Sequence, residues 1–165
     1  MGEALKLETS IEQIAARLSK KENAIFIGRG LMSPLALEGA LKLKEISYIH
    51  AEGFAAGELK HGSIALIEDN MPVITIAPKD AMYPKTISNM QEVIARQGDI
   101  ILLTEDPGNT DTDNITDLIF LPEIDPVLTP ILYTIPLQLL AYHTAVAKGT
   151  DVDQPRNLAK SVTVE

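Results

Sequence analysis

The chain has 165 residues, 45% apolar and 22% charged, which is typical of one globular domain with its own core. Its formal net charge of −9 argues against nucleic acid as a partner, because neutralising phosphates requires clustered Lys and Arg. The absence of cysteine excludes disulfides, thiolate metal sites and a cysteine nucleophile within this chain. The first eight residues lack an apolar h-region, and the longest apolar run, near 131–147, is short and interrupted. We therefore expect a cytoplasmic protein without a signal peptide or a membrane as partner.

The first third of the chain is predicted to contain a helix, a strand and a second helix. Apolar residues spaced three or four apart predict an amphipathic helix over about 10–19, with Ser10 as its N-cap. The apolar run 24–27 predicts a strand ending at Gly28-Arg29-Gly30. Ser33 and Pro34 then mark the start of a helix over 34–48. The stretch 51–62 is rich in glycine yet charged, and predicts a loop with a helical turn.

The rest of the chain alternates between strands and helices. Apolar runs predict strands at 64–67, 73–77, 100–104 and 118–121. Helices are predicted over about 84–97 and about 129–148, the second ending at Gly149. This alternation predicts an α/β fold, a three-layer α/β/α sandwich with a central, mostly parallel sheet. No clear linker interrupts the pattern, so we predict one domain over 1–165, including a polar tail from 150 to 165.

Two groups of polar residues are candidates for acid/base chemistry. Glu38, Lys42 and Glu45 are spaced i, i+4, i+7 and therefore share one helix face. That spacing fits a solvated salt-bridge stripe, and it also fits a carboxylate that an ammonium holds ready for proton transfer. His61 stands between a polar turn and Gly62. It is either a surface histidine or an acid/base group, since histidine is the side chain that titrates nearest to neutral pH.

Other polar positions give weaker signals. Gly28-Arg29-Gly30 lies at the carboxyl end of a strand, where open α/β sheets bind ligands, but it is an incomplete phosphate motif and equally fits a tight turn. His143, on an apolar helix, is predicted to be packed and hydrogen-bonded. Lys160 is of a type that forms a Schiff base with a carbonyl substrate, although most lysines near a chain end do not. The sequence contains no Ser/Thr-rich phosphate loop and no metal-ligand spacing.

Three stretches of the sequence resemble one enzyme family. They are ALEGALKLKEI at 36–46, AGELKHG at 56–62 and DVDQPRNLAKSVTVE at 151–165. They resemble the glutamine–fructose-6-phosphate amidotransferases, also called glucosamine-6-phosphate synthases, and the similarity runs from about residue 24 to the end. In that family a glutaminase domain with a cysteine nucleophile precedes two sugar-isomerase (SIS) domains of flavodoxin-like fold. This chain resembles the second SIS domain only. The family's first SIS domain supplies the Ser/Thr loop that binds the sugar phosphate.

The resemblance implies a role for four side chains. Glu45 matches the acid/base group that moves a proton between C1 and C2 of the sugar, and Lys42 matches a lysine near the reacting carbons. Lys160 matches the lysine proposed to form an imine with open-chain fructose 6-phosphate. His61 matches a histidine linked to ring opening, which the partner subunit of a homodimer contributes. The resemblance implies no metal and no organic cofactor.

The same resemblance implies that the tail closes over the substrate. Arg156, Asn157 and Ala159 would then contact the sugar phosphate. One departure from the family lies nearby: Ser63 stands where family members often have proline. This change affects a loop and replaces no catalytic residue.

The predicted function is therefore one half of a site that makes glucosamine 6-phosphate. The parent enzyme would convert fructose 6-phosphate with glutamine-derived ammonia, and the chain alone is not expected to perform the full reaction. One alternative is a non-catalytic SIS module that binds a sugar phosphate as a regulator, which would not need Glu45 and Lys160 together. Another is a structural half used mainly for dimerisation.

Overall fold

Every strand of the sheet runs parallel to its neighbours. The computed structural model describes residues 2–108 and 110–158. The strands are β1 Asn23–Gly28, β2 His50–Ala55, β3 Pro72–Ile76, β4 Asp99–Thr104 and β5 Asp117–Phe120. Their order across the sheet is β2-β1-β3-β4-β5. In this doubly wound, flavodoxin-like order the direction of winding reverses between β1 and β3, which is where such sheets bind ligands.

Helices and short 3-10 segments cover both faces of the sheet. The helices are α1 Gly2–Leu5, α2 Glu8–Leu18, α3 Met32–Ser47, α4 Tyr83–Ile94 and α5 Thr129–Lys148. The helices α2, α3 and α5 pack on one face of the sheet. The opposite face carries α4 and the 3-10 segments Ala56–His61 and Ser63–Leu66. The predicted three-layer α/β/α sandwich is confirmed.

Side chains of the central strands alternate between two buried clusters. In β1, Phe26 packs with the α3 and α5 side, whereas Ile25 and Ile27 pack with the α4 side. Successive residues of a strand point to opposite faces, so a strand covered on both sides needs an uninterrupted apolar sequence. This explains why β1, β3 and β4 were recognisable as apolar runs.

Two predictions around residue 60 need correction. The segment 51–62, predicted as a loop with a helical turn, begins with the edge strand β2, and only its helical turn is confirmed, as the 3-10 segment Ala56–His61. The strand predicted at 64–67 is the 3-10 segment Ser63–Leu66. The glycine that indicated a loop has a packing role, because a Cβ at Gly53 would lie 2.6 Å from the Ala36 carbonyl oxygen. The misassigned apolar run is short, and short apolar runs do not distinguish strand from helix.

The residues predicted to mark the starts of two helices lie inside those helices. The predicted cap Ser10 lies inside α2, where its hydroxyl donates to the Leu7 carbonyl at 2.8 Å. The helix α3 starts at Met32, so Ser33 and Pro34 lie in its first turn. Proline is tolerated there because the first N–H groups of a helix have no intrahelical acceptor. The last helix has the predicted bounds, and Gly149 follows it with φ 75°.

Candidate active site

The side of α3 that carries Lys42 holds an uneven group of charges. The Lys42 ammonium donates a hydrogen bond to Glu45 Oε2 at 2.8 Å and lies 3.8 Å from Glu38 Oε1. The Glu45 side chain is 28% exposed, whereas that of Glu38 is 45% exposed. Glu45 therefore has both the shorter contact and the more enclosed position. The group is a partly exposed salt-bridged face of α3 in which Glu45 is held more closely than Glu38, and both interpretations that the sequence left open are compatible with it.

The ion pair changes the titration of its lysine. The hydrogen bond to Glu45 raises the pKa of Lys42, and the partial burial of the ammonium opposes this rise. Because the pKa of Lys42 is higher in the folded than in the unfolded chain, the pair stabilises the fold fully below the ordinary lysine pKa of about 10.4. That stabilisation is lost as the pH rises through the raised value.

Replacing Lys42 by methionine is expected to give a small, pH-dependent loss of stability. A pair this exposed contributes about 0.5 kcal/mol, after allowance for solvent screening. Urea unfolding of the chain and its Lys42→Met variant should show a constant difference between pH 7 and about pH 10, and a shrinking one above that. The exposed Lys44 gives a matched control, since Lys44→Met removes a charge from the same helix without breaking this pair. A Lys42→Met difference that grows at high pH would contradict the assignment.

The start of the tail lies against the last turn of α3. Thr150 Oγ1 donates to the Ile46 carbonyl at 2.6 Å, and the Arg156 N–H donates to Tyr48 Oη at 2.8 Å. The Arg156 guanidinium carbon also lies 4.1 Å from the centre of the Tyr48 ring. Glu45 lies in this same turn, so the tail is docked beside the predicted acid/base residue.

Three of the predicted site residues follow this docked segment. Asn157 is exposed and has a φ of 65°. Ala159 and Lys160 lie outside the described residues. The structure therefore brings Lys42, Glu45 and Arg156 to one end of α3.

His61 lies in a different part of the molecule. It ends the 3-10 segment Ala56–His61, and its Nδ1 lies 2.8 Å from Glu58 Oε2. Leu59 of that segment is buried in the cluster on the α4 side of the sheet, whereas α3 packs on the other side. Glu45 and His61 of one chain are thus on opposite faces of the sheet and do not contact each other.

A crevice opens where the strands end, but its lining does not suit a phosphate. The cavity has a volume of about 380 Å³, and the loops after β1, β3, β4 and β5 line it. Its charged residues are Lys79, Asp80, Glu105 and Glu123. Three carboxylates beside one ammonium repel an anion. We therefore find no phosphate cradle in this crevice.

The Gly28-Arg29-Gly30 turn does not direct its arginine into the crevice. Arg29 Nη1 donates to Asn89 Oδ1 at 2.8 Å, and a Cβ at Gly57 would lie 2.8 Å from the guanidinium. Gly30 has a φ of 55°, and a Cβ at Gly28 would lie 2.4 Å from the Met32 carbonyl oxygen. The glycines therefore make a tight turn, one of the two interpretations that the sequence left open.

Further predictions concern metals, membranes and His143. Among residues 2–108 and 110–158, no group of three or more His, Asp or Glu residues is placed to hold a metal ion. In the same part of the chain, no helix is both long and apolar enough to cross a bilayer. His143, predicted to be a packed and hydrogen-bonded core residue, is hydrogen-bonded but lies at the edge of the core, with a side chain 12% exposed and Nε2 3.2 Å from Oε1 of the exposed Glu8.

Sequence reasoning missed Tyr48, the residue that contacts the tail. Tyr48 immediately follows α3 and has φ 61° and ψ 16°, the left-handed conformation. Glycine is usual at this position after a helix. The sequence pattern does not show that Tyr48 occupies this position, because the residue after a helix is identified only when the end of the helix is known.

The fold and the position of the ion pair define a class of protein. An all-parallel sheet in the order β2-β1-β3-β4-β5, with helices on both faces, is a doubly wound α/β domain. Here a carboxylate–ammonium pair on a helix supplies candidate acid/base chemistry. The family model described as "SIS domain" matches residues 17–148, and the chain belongs to this family.

Two curated relatives and one solved structure give the comparison more detail. The chain is 61% identical over 167 residues to the isomerizing glutamine–fructose-6-phosphate aminotransferase of Rhizobium meliloti (strain 1021), a match covering 100% of this chain and 28% of the relative. It is 59% identical to the enzyme of the same name from Brucella abortus biovar 1 (strain 9-941), with coverage of 100% and 27%. The solved C-terminal domain of glucosamine-fructose-6-phosphate aminotransferase from Francisella tularensis superposes with a TM-score of 0.88 at 52% identity. That match covers 92% of this chain and 43% of the solved one.

The comparisons confirm the resemblance and the fold seen in the sequence. The chain spans little more than a quarter of the length of the curated relatives it matches. The similarity covers this chain from end to end. The larger part of each relative has no counterpart in it.

Proposed function

We propose that this chain is the part of a glutamine–fructose-6-phosphate aminotransferase that carries the proton-transfer half of its sugar site. The observation that carries this proposal is the Lys42–Glu45 pair, held at 2.8 Å in the turn of α3 on which the tail docks. The high identity to enzymes of that name supports the reaction assigned to the pair. The substrate class is a sugar phosphate, fructose 6-phosphate on one side of the reaction and glucosamine 6-phosphate on the other.

In this proposal Glu45 moves a proton between two neighbouring carbons. Its carboxylate takes a proton from C1 of the sugar and returns it to C2, while nitrogen derived from glutamine ends on C2. The hydrogen bond from Lys42 goes to Oε2 and orients the carboxylate. Within residues 2–108 and 110–158 no hydrogen bond to Oε1 is found, and this oxygen would face the sugar. A carboxylate positioned in this way is a general acid/base, a role that contributes about 10² to 10⁴ in rate.

Lys160 and the tail would prepare the sugar for this transfer. The Lys160 amine would condense with the C2 carbonyl of the open-chain sugar, releasing water and forming an imine whose cationic form stabilises charge at C1. Ammonia would then add to C2 and displace the Lys160 amine, so that the C=N bond carries the glutamine-derived nitrogen and the lysine is regenerated. Arg156, Asn157 and Ala159 would contact the sugar phosphate as the tail covers it. The docking of Thr150 and Arg156 on α3 supports these roles, because it starts the last part of the chain near Glu45.

We further propose that the complete site needs a second copy of the chain and the rest of the longer enzyme. His61 would open the sugar ring in the site of a partner subunit in a homodimer. Support for this comes from the opposite positions of Glu45 and His61 about the sheet. A preceding SIS domain would bind the phosphate and a glutaminase domain would supply ammonia. We propose the cytoplasm as the location, because a phosphorylated sugar does not cross a lipid bilayer unaided.

A chimeric enzyme tests the proposed function directly. The matching 28% of the Rhizobium meliloti enzyme would be replaced by this chain, and formation of glucosamine 6-phosphate would be measured. We expect turnover within about tenfold of the parent, because the chain is 61% identical to the segment it replaces, whereas a site misplaced by about 1 Å would cost about 10²-fold. The parent enzyme lacking this segment should form no product. A chimera that folds and hydrolyses glutamine but makes no amino sugar would contradict the proposal, and would favour a regulatory SIS module.

A further inference from the structure

Tyr48 occupies a conformation that disfavours any residue with a side chain. Its φ of 61° and ψ of 16° are left-handed, and the β-carbon then lies close to the following carbonyl oxygen. The end of α5 shows the usual solution, because Gly149 stands in the same conformation there with φ 75°. Strain that persists at one helix end and is avoided at the other indicates that the tyrosine side chain has a use.

The contacts of Tyr48 show what that use is. Its hydroxyl oxygen accepts the backbone N–H of Arg156 at 2.8 Å, and its ring faces the Arg156 guanidinium at 4.1 Å. One side chain thus holds the main chain and the side chain of the same tail residue. Both contacts are made at the end of α3, one turn after Glu45.

Docking at Arg156 places the last anchored residue closer to Lys160 along the sequence. Lys160 lies ten positions after Thr150 but only four positions after Arg156. The local concentration of a tethered group falls as about the −3/2 power of tether length. By sequence separation alone, the closer anchor corresponds to an about fourfold higher local concentration of the Lys160 amine near Glu45.

We propose that Tyr48 is a positioning residue that holds Arg156 against the end of α3 and so sets where the catalytic tail begins. The docking role stands on the contacts of the described residues. The consequence for turnover rests on the proposed function. Tyr48 would touch no reacting atom and would act only by holding Arg156.

The docking role is tested on the chain itself. Tyr48→Phe keeps the ring and removes the hydroxyl, while Tyr48→Asn removes both contacts and tolerates left-handed φ. Hydrogen exchange at the Arg156 amide should quicken about tenfold in both variants, since a hydrogen bond of ordinary net strength is lost. Removing the hydroxyl of exposed Tyr142 by Tyr142→Phe should leave that amide unchanged. Unchanged exchange in the folded Tyr48 variants would overturn the proposal.

The catalytic consequence is tested in the chimeric enzyme. For Tyr48→Asn we expect kcat to fall fourfold or more, with the KM for fructose 6-phosphate changing less than twofold, and for Tyr48→Phe a smaller fall. If Tyr48 had a purely structural role, replacing it would lower the folded fraction but would not lower kcat relative to KM in the folded enzyme. Tyr48→Phe keeps the ring, so it controls for loss of activity through misfolding. A kcat within twofold of the unmodified chimera, despite a freely exchanging Arg156 amide, would overturn the proposal. Full activity of Lys160→Met would instead refute the proposed function and leave the docking result intact.

Discussion

Replacing Glu45 by glutamine in the chimeric aminotransferase is expected to lower amino-sugar formation by about 10² to 10⁴. Glutamine matches the shape of glutamate and can still accept the hydrogen bond from Lys42, so the helix and its packing should persist. It cannot take a proton from carbon at neutral pH. The effect should therefore appear in kcat, measured as glucosamine 6-phosphate formed per minute, with little change in the KM for fructose 6-phosphate.

Glu38 provides the matched control for this variant. It lies on the same side of α3, 3.8 Å from the same ammonium, and is more exposed than Glu45. Glu38→Gln removes one carboxylate with the same change of charge and volume, and should alter kcat less than twofold. Comparable losses in the two variants would mean that the charge of this helix face matters and that Glu45 has no distinct role. More than a tenth of the original turnover in Glu45→Gln would also contradict the assignment.

Mixing two inactive variants of the chimera is expected to restore activity. In a homodimer whose sites pair Glu45 of one subunit with His61 of the other, Glu45→Gln and His61→Asn are each defective. A hybrid of the two nevertheless contains one site with both native residues. Random reassociation of equal amounts makes half of the dimers hybrid, each with one intact site of two, so about a quarter of the unmodified rate should return. Turnover before and after joint refolding measures the recovery.

A second pair of variants controls for nonspecific rescue. Glu45 and Lys160 are both assigned to the same subunit, so Glu45→Gln mixed with Lys160→Met should recover no activity. Recovery with this pair as well would contradict the proposed distribution of residues between subunits. Absence of recovery in the first mixture, with hybrids shown to form by mass, would contradict a site that pairs Glu45 of one subunit with His61 of the other.

The fold was largely predictable because its strongest signals are local. Strands covered on both faces are mostly apolar, and β1, β3 and β4 have only Asn23, Thr75, Asp99 and Thr104 as polar residues. The edge strand β2 is different, since its sequence HAEGFA includes a glycine that the backbone of α3 approaches closely. A glycine required for helix packing has the same appearance in a sequence as one in a loop. Tertiary contact, rather than local preference, makes this segment a strand.

The candidate site was predictable only in part, for a related reason. Helical spacing correctly placed Lys42 beside Glu45, because both lie on one regular element. His61 is only 16 positions further along the chain, yet an edge strand leads from one to the other and they lie on opposite faces. Sequence distance carries no information about which face a connecting segment takes. The left-handed conformation of Tyr48 is likewise a property of the folded chain.

The most direct test of the account is a calorimetric titration of the 165-residue chain with fructose 6-phosphate. The central proposal is that this chain carries the proton-transfer residues, whereas a preceding SIS domain binds the phosphate group. The crevice at the strand ends holds three carboxylates and one lysine, which do not favour an anion. We predict no saturable heat up to about 10 mM ligand, well above the 1 μM–1 mM range in which enzymes usually bind substrate. Stoichiometric binding with a submillimolar Kd would contradict the claim, because the chain would then hold a complete sugar-phosphate site of its own.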